Sequence, residues 1–471
     1  MLDLDLPTMR AMAARVSDLV TSHLAALREE PVQRSLGRAE ADRSIGAGQT
    51  AAPEQGTDFP ALLDLLTTRV FPYHAREPHP RFMGYIPGCP DFPAVMGDWL
   101  ATGYNFFAGV WPVAAGLNEL ELVVLEWFRQ WMGMPEGARG ILTSGGSAAT
   151  VTAIVAARHA RLGPDAERLP RLTVYTSEQA HTATVRAAWV AGFSRAHVRA
   201  LPTDDHLRMR MDALRGAIAA DRAAGLEPAI VCASAGTTNT GAVDPLPEIA
   251  ALCETEGLWM HVDAAYGGFA ALTEWGRALL GGIGRAHSIA LDPHKWLFVP
   301  FECGCLLVRD PRTLEDAFSV HPEYLTDVLP RDEEVNFADS GEQLTRYSRA
   351  LKVWLSVRYY GLARLRAAIE AGIARGEYAE RRIREHPLLE VLSPAQLGIV
   401  CFRLHPPGMD DAAQLNALNE RVNAAVNGSG EFLFSSTRLN GAFALRVCLC
   451  GFRTTEGDVD ALLEAIVRRS S

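Results

Sequence analysis

Short apolar runs alternate with alanine-rich helical stretches through the middle of this chain, and that alternation constrains the fold more than any other feature. Leu172–Thr176, Ala229–Ser234, Leu258–Val262 and Gly304–Val308 read as buried strands. Strands separated by helical stretches predict a doubly wound α/β sheet, central, mixed and mostly parallel. At 471 residues the chain exceeds one ordinary core. Three parts are expected: a helical N-terminal segment over 1–80, a large α/β domain over 81–350, and a smaller C-terminal α+β domain over 351–471. The first holds an amphipathic pattern over Leu6–Leu27, a Gly/Ala/Gln-rich stretch over Gly46–Gly56 and a helix candidate over Phe59–Val70. The last holds a long helical pattern over Leu351–Arg384, apolar alternations at Leu397–Leu404 and Phe443–Leu449, and a terminal helix at Asp458–Arg468.

Composition excludes several classes. With 48% hydrophobic and 21% charged residues the chain reads as globular. A net charge of −11 argues against nucleic acid or an anionic membrane surface as partner. No uncharged apolar stretch reaches the roughly 18 residues a membrane span needs. The acidic start, Met1-Leu2-Asp3-Leu4-Asp5, does not read as a signal peptide. Eight cysteines, two pairs of them spaced C-x-C (Cys303/Cys305 and Cys448/Cys450), suit buried thiols in a reducing cytoplasm. Ligand spacings for a metal are not found.

Five polar sites fall at or after strand ends, the edge where open α/β sheets bind ligands. Thr143-Ser144-Gly145-Gly146-Ser147 opens an alanine-rich helix through Arg158. Glycines let the backbone approach an anion, free N–H groups at a helix start bind phosphate, and the Ser147 hydroxyl adds a hydrogen bond. The same turn also suits a plain strand–helix connection. Glu178-Gln179-Ala180-His181 follows the first strand, and Gly236-Thr237-Thr238-Asn239-Thr240-Gly241 follows the second. Taken singly, His181 reads as a structural histidine and the Thr238 loop as a turn. Asp263 ends the third strand within His261-Val262-Asp263-Ala264-Ala265. Downstream lies Asp292-Pro293-His294-Lys295-Trp296. A lysine amine links covalently to a carbonyl, and a carboxylate keeps a pyridine nitrogen protonated. This ordered set is what a protein needs to hold pyridoxal 5'-phosphate (PLP).

With these motifs the chain resembles the group II PLP-dependent amino-acid decarboxylases, the family of aromatic-L-amino-acid, histidine and glutamate decarboxylases. His79-Pro80-Arg81-Phe82, Asn118-Glu119-Leu120-Glu121, Ser177 to His181, His261 to Ala265 and Asp292 to Trp296 carry the resemblance. It implies the type I, aspartate-aminotransferase-like PLP fold and a homodimer with its N-terminal segment packed across the partner. It implies that Lys295 forms the Schiff base, that Asp263 pairs with the pyridine nitrogen, and that Ala265 and His181 sandwich the ring. Gly145, Gly146, Ser147 and His294 would meet the phosphate, and Thr238 would lie beside cofactor or substrate. Tyr85, Ile86, Gly88, Phe107 and Gly109 match the substrate side.

The chain departs from the family pattern at three places. Ala148 replaces a Glu after the glycine turn. Gly88 and Gly109 stand where aromatic-specific members are bulkier, which predicts an enlarged pocket. In the loop before Leu351-Lys352-Val353-Trp354, Phe337 falls where the family carries the Tyr that protonates Cα. Phe has no proton to give. The resemblance then implies decarboxylation coupled to oxidation by O2, giving aldehyde, CO2, NH3 and H2O2. Two alternatives stay open: simple amine formation with Tyr324 or Tyr347 as donor, and β-elimination from a bulky cysteine-type substrate.

Overall fold

The computed structural model describes residues 2–46, 51–163, 165–320, 323, 327, 330–331 and 333–469. Among the described residues twelve strands form two sheets. In chain order they are β1 (Phe82–Met83), β2 (Arg139–Thr143), β3 (Leu172–Ser177), β4 (Val198–Leu201), β5 (Glu227–Ser234), β6 (Trp259–Asp263), β7 (Ser288–Leu291), β8 (Gly304–Val308), β9 (Leu389–Gln396), β10 (Ile399–Leu404), β11 (Leu433–Leu439) and β12 (Ala442–Cys448). The large sheet runs β2-β8-β7-β6-β5-β3-β4. Its pairs are parallel except those of β8, which runs against both β2 and β7. The doubly wound, mostly parallel expectation therefore holds.

All four strands read from sequence are present. Among the strands not read from sequence, β4 and β7 each have a physical reason. Val198–Leu201 is a half-exposed edge carrying Arg199, and Ser288–Leu291 is four residues long with little bulk. Burial of Ser288 is enabled by Trp259 Nε1, which donates to its hydroxyl at 2.9 Å.

The helix Gly146–Leu162 lies on this sheet through Ala149, Ala153, Ala156 and Ala157, all fully buried. Small side chains let its axis come close, which brings its N-terminus over the strand ends. Gly304, at the start of β8, touches the Gly145 backbone so closely that a side chain there would collide with it.

The second sheet runs β1-β11-β12-β10-β9. Its first strand, Phe82–Met83, pairs in parallel with β11, although the sequence reading places these residues in the large domain. The helix Ala350–Glu385 joins the two cores: Val353, Val357 and Ile369 pack into the large one, Ala379 and Ile383 into the small one. It is not continuous, as the sequence suggested, because Gly361 adopts φ 71°, ψ 159° and breaks it.

The N-terminal helix Leu6–Ala25 is capped by Asp5, which accepts Thr8 N–H at 2.8 Å, and none of its residues is buried. The chain after it is tied to the second domain by Arg28, whose guanidinium meets Asp458 at 2.8 and 3.1 Å. Among the described residues no helix is long and apolar enough to cross a membrane.

One buried ion pair clamps the large domain. Arg346 donates to Glu121 at 2.7 and 3.2 Å, both side chains being 1% exposed. Arg346 also reaches the carbonyls of Ala108 and Leu142, and Glu121 accepts Leu142 N–H at 2.9 Å. Removing one partner leaves a buried charge uncompensated. Glu121→Ala should therefore destabilise the protein by about 3–5 kcal/mol, read as a lower urea midpoint. An unchanged midpoint would remove the pair from this role.

Candidate active site

The strand ends converge on a cavity of about 340 Å³. Its wall includes Gly145, Gly146, Ser147, His181, Thr238, Asp263, Ala265, His294 and Lys295. Residues distant in sequence are thus brought together as expected.

Lys295 sits on the single turn Pro293–Trp296 that follows β7. Its Nζ donates to Asp292 Oδ2 at 2.9 Å, one turn back. Burial acts against the ammonium, but the Asp292 charge and hydrogen bond outweigh it and hold the lysine pKa above its ordinary value. Asp292 was only part of a motif in the sequence; its i,i+3 spacing from Lys295 was the available signal. His294 Nδ1 accepts Cys303 N–H at 3.1 Å, which leaves the proton of a neutral ring on Nε2. Burial lowers its pKa.

His181 ends the β3 loop and caps the helix Thr182–Val190, its Nδ1 accepting Ala183 N–H at 3.3 Å. Burial lowers its pKa, with Asp263 acting in the opposite sense. Asp263 Oδ1 accepts Ala265 N–H at 3.1 Å, which orients the carboxylate at the end of β6.

The residues fit PLP. The N-terminus of Gly146–Leu162 opens on the cavity with no side-chain cap, so its first N–H groups suit a phosphate. A Cβ on Gly146 would lie 2.9 Å from Asp292 Oδ2 and 3.0 Å from Ala265 Cβ, so only glycine lets this turn approach.

The residues expected on the substrate side do not line this cavity. Tyr85, Ile86, Gly88, Phe107 and Gly109 are not in the cavity wall. Tyr85 is 67% exposed with φ 48°, and Ile86 is buried in the core. Neither glycine enlarges a pocket within the chain. A side chain at Gly109 would collide with the Leu344 carbonyl, and one at Gly88 would meet Phe301 and Glu77. The β-elimination reading rested on that enlargement and loses its support.

Phe337 is also corrected. It is fully buried in the large core, with the Arg346 guanidinium 5.0 Å from its ring centre. The next residue, Ala338, donates its N–H to the Gly109 carbonyl at 2.9 Å. A ring held this way is a packing residue, not a loop side chain that reaches a reacting carbon. Tyr347 is committed too: its hydroxyl bonds to Asp98 at 3.0 Å and lies 3.2 Å from Thr102 Oγ1. Tyr324 lies outside the described residues.

Arg446, on β12, was missed from sequence. Its guanidinium donates to the carbonyls of Tyr85 (2.7 Å), Thr238 (2.6 Å) and Asn239 (2.9 Å) and to Ser435 Oγ (2.9 Å). It pins the Tyr85 segment to the cavity loop. Nothing local marks it among the other arginines.

A doubly wound sheet with a lysine, an aspartate and an open helix N-terminus at its strand ends defines a PLP-dependent enzyme of the type I fold. The pyridoxal-dependent decarboxylase conserved domain matches residues 44–405, and the chain belongs to that family. It is 39% identical over 455 residues to the aromatic-L-amino-acid decarboxylase of Bacillus atrophaeus, covering 96% of this chain and 94% of the relative. The crystal structure of Oryza sativa TDC with PLP and tryptamine superposes with a TM-score of 0.94 at 27% identity, covering 100% of this chain and 99% of that one. The Rhodiola rosea 4-hydroxyphenylacetaldehyde synthase structure reaches 0.90 at 26% identity, covering 99% and 98%. The protein is therefore a PLP-dependent carboxy-lyase acting on an amino acid.

His261 lies beneath the site, its Nδ1 2.9 Å from Ser288 Oγ. Burial lowers its pKa to about 4, Asp263 acting in the opposite sense. A lowered histidine binds fewer protons folded than unfolded, so its contribution is complete above about 6.5 and is lost as pH falls toward 4. Asp244, raised to about 6 by burial despite two backbone N–H bonds, acts in the opposite direction. The urea midpoint should thus fall more steeply between pH 7 and pH 5 in wild type than in His261→Asn. Parallel slopes would refute this.

Proposed function

We propose that this enzyme decarboxylates an aromatic L-amino acid and releases the amine. The observation that carries the reading is the convergence of Lys295, Asp263, His181 and the open helix N-terminus on one cavity. When bound, PLP supplies the electron sink into which the Cα–carboxylate bond electrons move. The chain's own residues do the rest. Lys295 would hold the cofactor covalently, with Asp292, 2.9 Å from its Nζ, holding the amine's proton beforehand. Gly145, Gly146, Ser147 and His294 would bind the phosphate. Asp263 would keep a proton on the pyridine nitrogen, and Ala265 and His181 would flank the ring. Thr238 lines the same cavity and would stand on the substrate side.

After CO2 leaves, Cα must receive a proton. The burial of Phe337 takes away the ground for aldehyde formation, since this side chain does not stand where a donor to Cα would. With the Tyr347 hydroxyl bound to Asp98, the remaining candidate is Tyr324. The similarity to the Bacillus atrophaeus enzyme supports the same product class and an aromatic substrate.

The enzyme acts as a homodimer. The unburied helix Leu6–Ala25, with Val16 and Val20 exposed, and the exposed Trp99 and Leu100 support a covering partner subunit. Eight buried cysteines, none in a disulfide, support a reducing cytoplasm.

A product count tests the chemistry. With L-tryptophan, L-tyrosine and L-phenylalanine, in air and under nitrogen, amine should equal CO2 without peroxide. Phe337→Tyr should leave the product unchanged, whereas Tyr324→Phe should divert turnover to aldehyde and peroxide with O2 uptake. Oxygen-dependent aldehyde from wild type would overturn the reading. Separately, Asp263→Ala should keep the fold and cut kcat about a hundredfold or more; undiminished turnover would mean that the cofactor sits elsewhere.

A further inference from the structure

Gly88 is hemmed in by two side chains. A Cβ there would lie 2.6 Å from Phe301 Cζ and 2.8 Å from Glu77 Oε2. Glu77 Oε2 accepts Gly88 N–H at 2.9 Å. The carboxylate is half-buried, and no cation among the described residues pairs with it. Burial raises its pKa, and the Gly88 N–H acts against that rise. Its Oε1 bonds to no described residue.

This group is joined to the wall of the Lys295 cavity through Phe301. The Phe301 ring meets the His294 ring edge-on at 4.9 Å, and His294 is part of the cavity wall. On the other side Arg446 joins the Tyr85 carbonyl to that of Thr238, also in the wall. Arg446 and Phe301 thus tie the Tyr85–Gly88 segment to the cavity wall from two sides, and beside Gly88 an apolar ring and an acceptor stand next to each other. A substrate ring packed against Phe301 would put its far end near Glu77. Desolvating a carboxylate is costly unless a donor meets it. An O–H or N–H on the ring meets it, a bare ring does not, and a side-chain acid is repelled.

We propose that Glu77 is a specificity residue, selecting aromatic L-amino acids whose ring carries a hydrogen-bond donor, a phenol or an aryl amine, over phenylalanine and over side-chain acids. This rests on the aromatic-decarboxylase reading above. The role was invisible in the sequence, where Glu77 is one acid among many.

The test compares kcat/KM for L-tyrosine, 4-amino-L-phenylalanine, L-phenylalanine and L-glutamate in wild type, Glu77→Gln and Glu77→Leu. Wild type should favour the two donor-bearing rings over L-phenylalanine by about tenfold or more. Glu77→Leu should erase most of that ratio, and Glu77→Gln, which keeps an acceptor oxygen, should retain part of it. Calorimetric titration should show the same loss for tyramine relative to phenethylamine. A purely structural role would lower all substrates by one factor; an unchanged ratio in both variants overturns the proposal. Equal wild-type rates on L-tyrosine and L-phenylalanine would overturn it while leaving aromatic decarboxylation intact. Release of CO2 from L-glutamate alone would overturn both.

Discussion

The Glu121–Arg346 pair is the contact on which the site's geometry depends. Two charges are held out of water at the point where β2 ends and the glycine turn begins. Their attraction alone does not offset desolvation; the added bonds to the Leu142 amide and to the Leu142 and Ala108 carbonyls do. The same guanidinium lies over the Phe337 ring. One side chain thus locates the phosphate-turn strand, the 108 loop and the segment before the long helix. That is why Phe337 is a core residue although it lies in a polar stretch of sequence.

A second buried cation works in the same manner. Lys352, 1% exposed, donates to the carbonyls of Pro300 and Glu302 at 3.1 Å and meets Asp98 at 2.9 Å. It holds the loop carrying Phe301 against the helix Phe92–Tyr104. Arg446 does the equivalent for the Tyr85 segment. Around the cavity, irregular backbone is fixed by buried cations that collect carbonyls, which regular sheet pairing cannot satisfy there. Functional loops need this support because they carry few apolar contacts of their own.

Inside the cavity the charges are arranged differently. Lys295 is held with its proton by Asp292, whereas burial keeps His181 and His294 toward the neutral form. The lysine therefore rests as an ammonium beside two rings disposed toward neutrality, and Asp292 is the group placed to take its proton.

Much of this was legible without coordinates. Strands such as Ala229–Ser234 and Gly304–Val308 announce themselves as short apolar runs, and the polar residues after them mark the ligand edge. Lys295, Asp263, His181 and the glycine turn were found because their chemistry is rare and ordered. The misreadings share a cause. Gly88 and Gly109 looked like vacated space, and Phe337 like a lost donor, because a sequence shows which atoms are missing from a residue but not what fills the gap. The fillers are the Leu344 carbonyl, the Phe301 ring, the Glu77 carboxylate and the Arg346 guanidinium, all from other segments. By itself the sequence determined the α/β class, the cofactor and the order of the catalytic groups, since these follow from local periodicity and from side-chain chemistry. Only the tertiary structure decided which buried charges meet which carbonyls and carboxylates, because those contacts join residues hundreds of positions apart, as Arg446 and Tyr85 do.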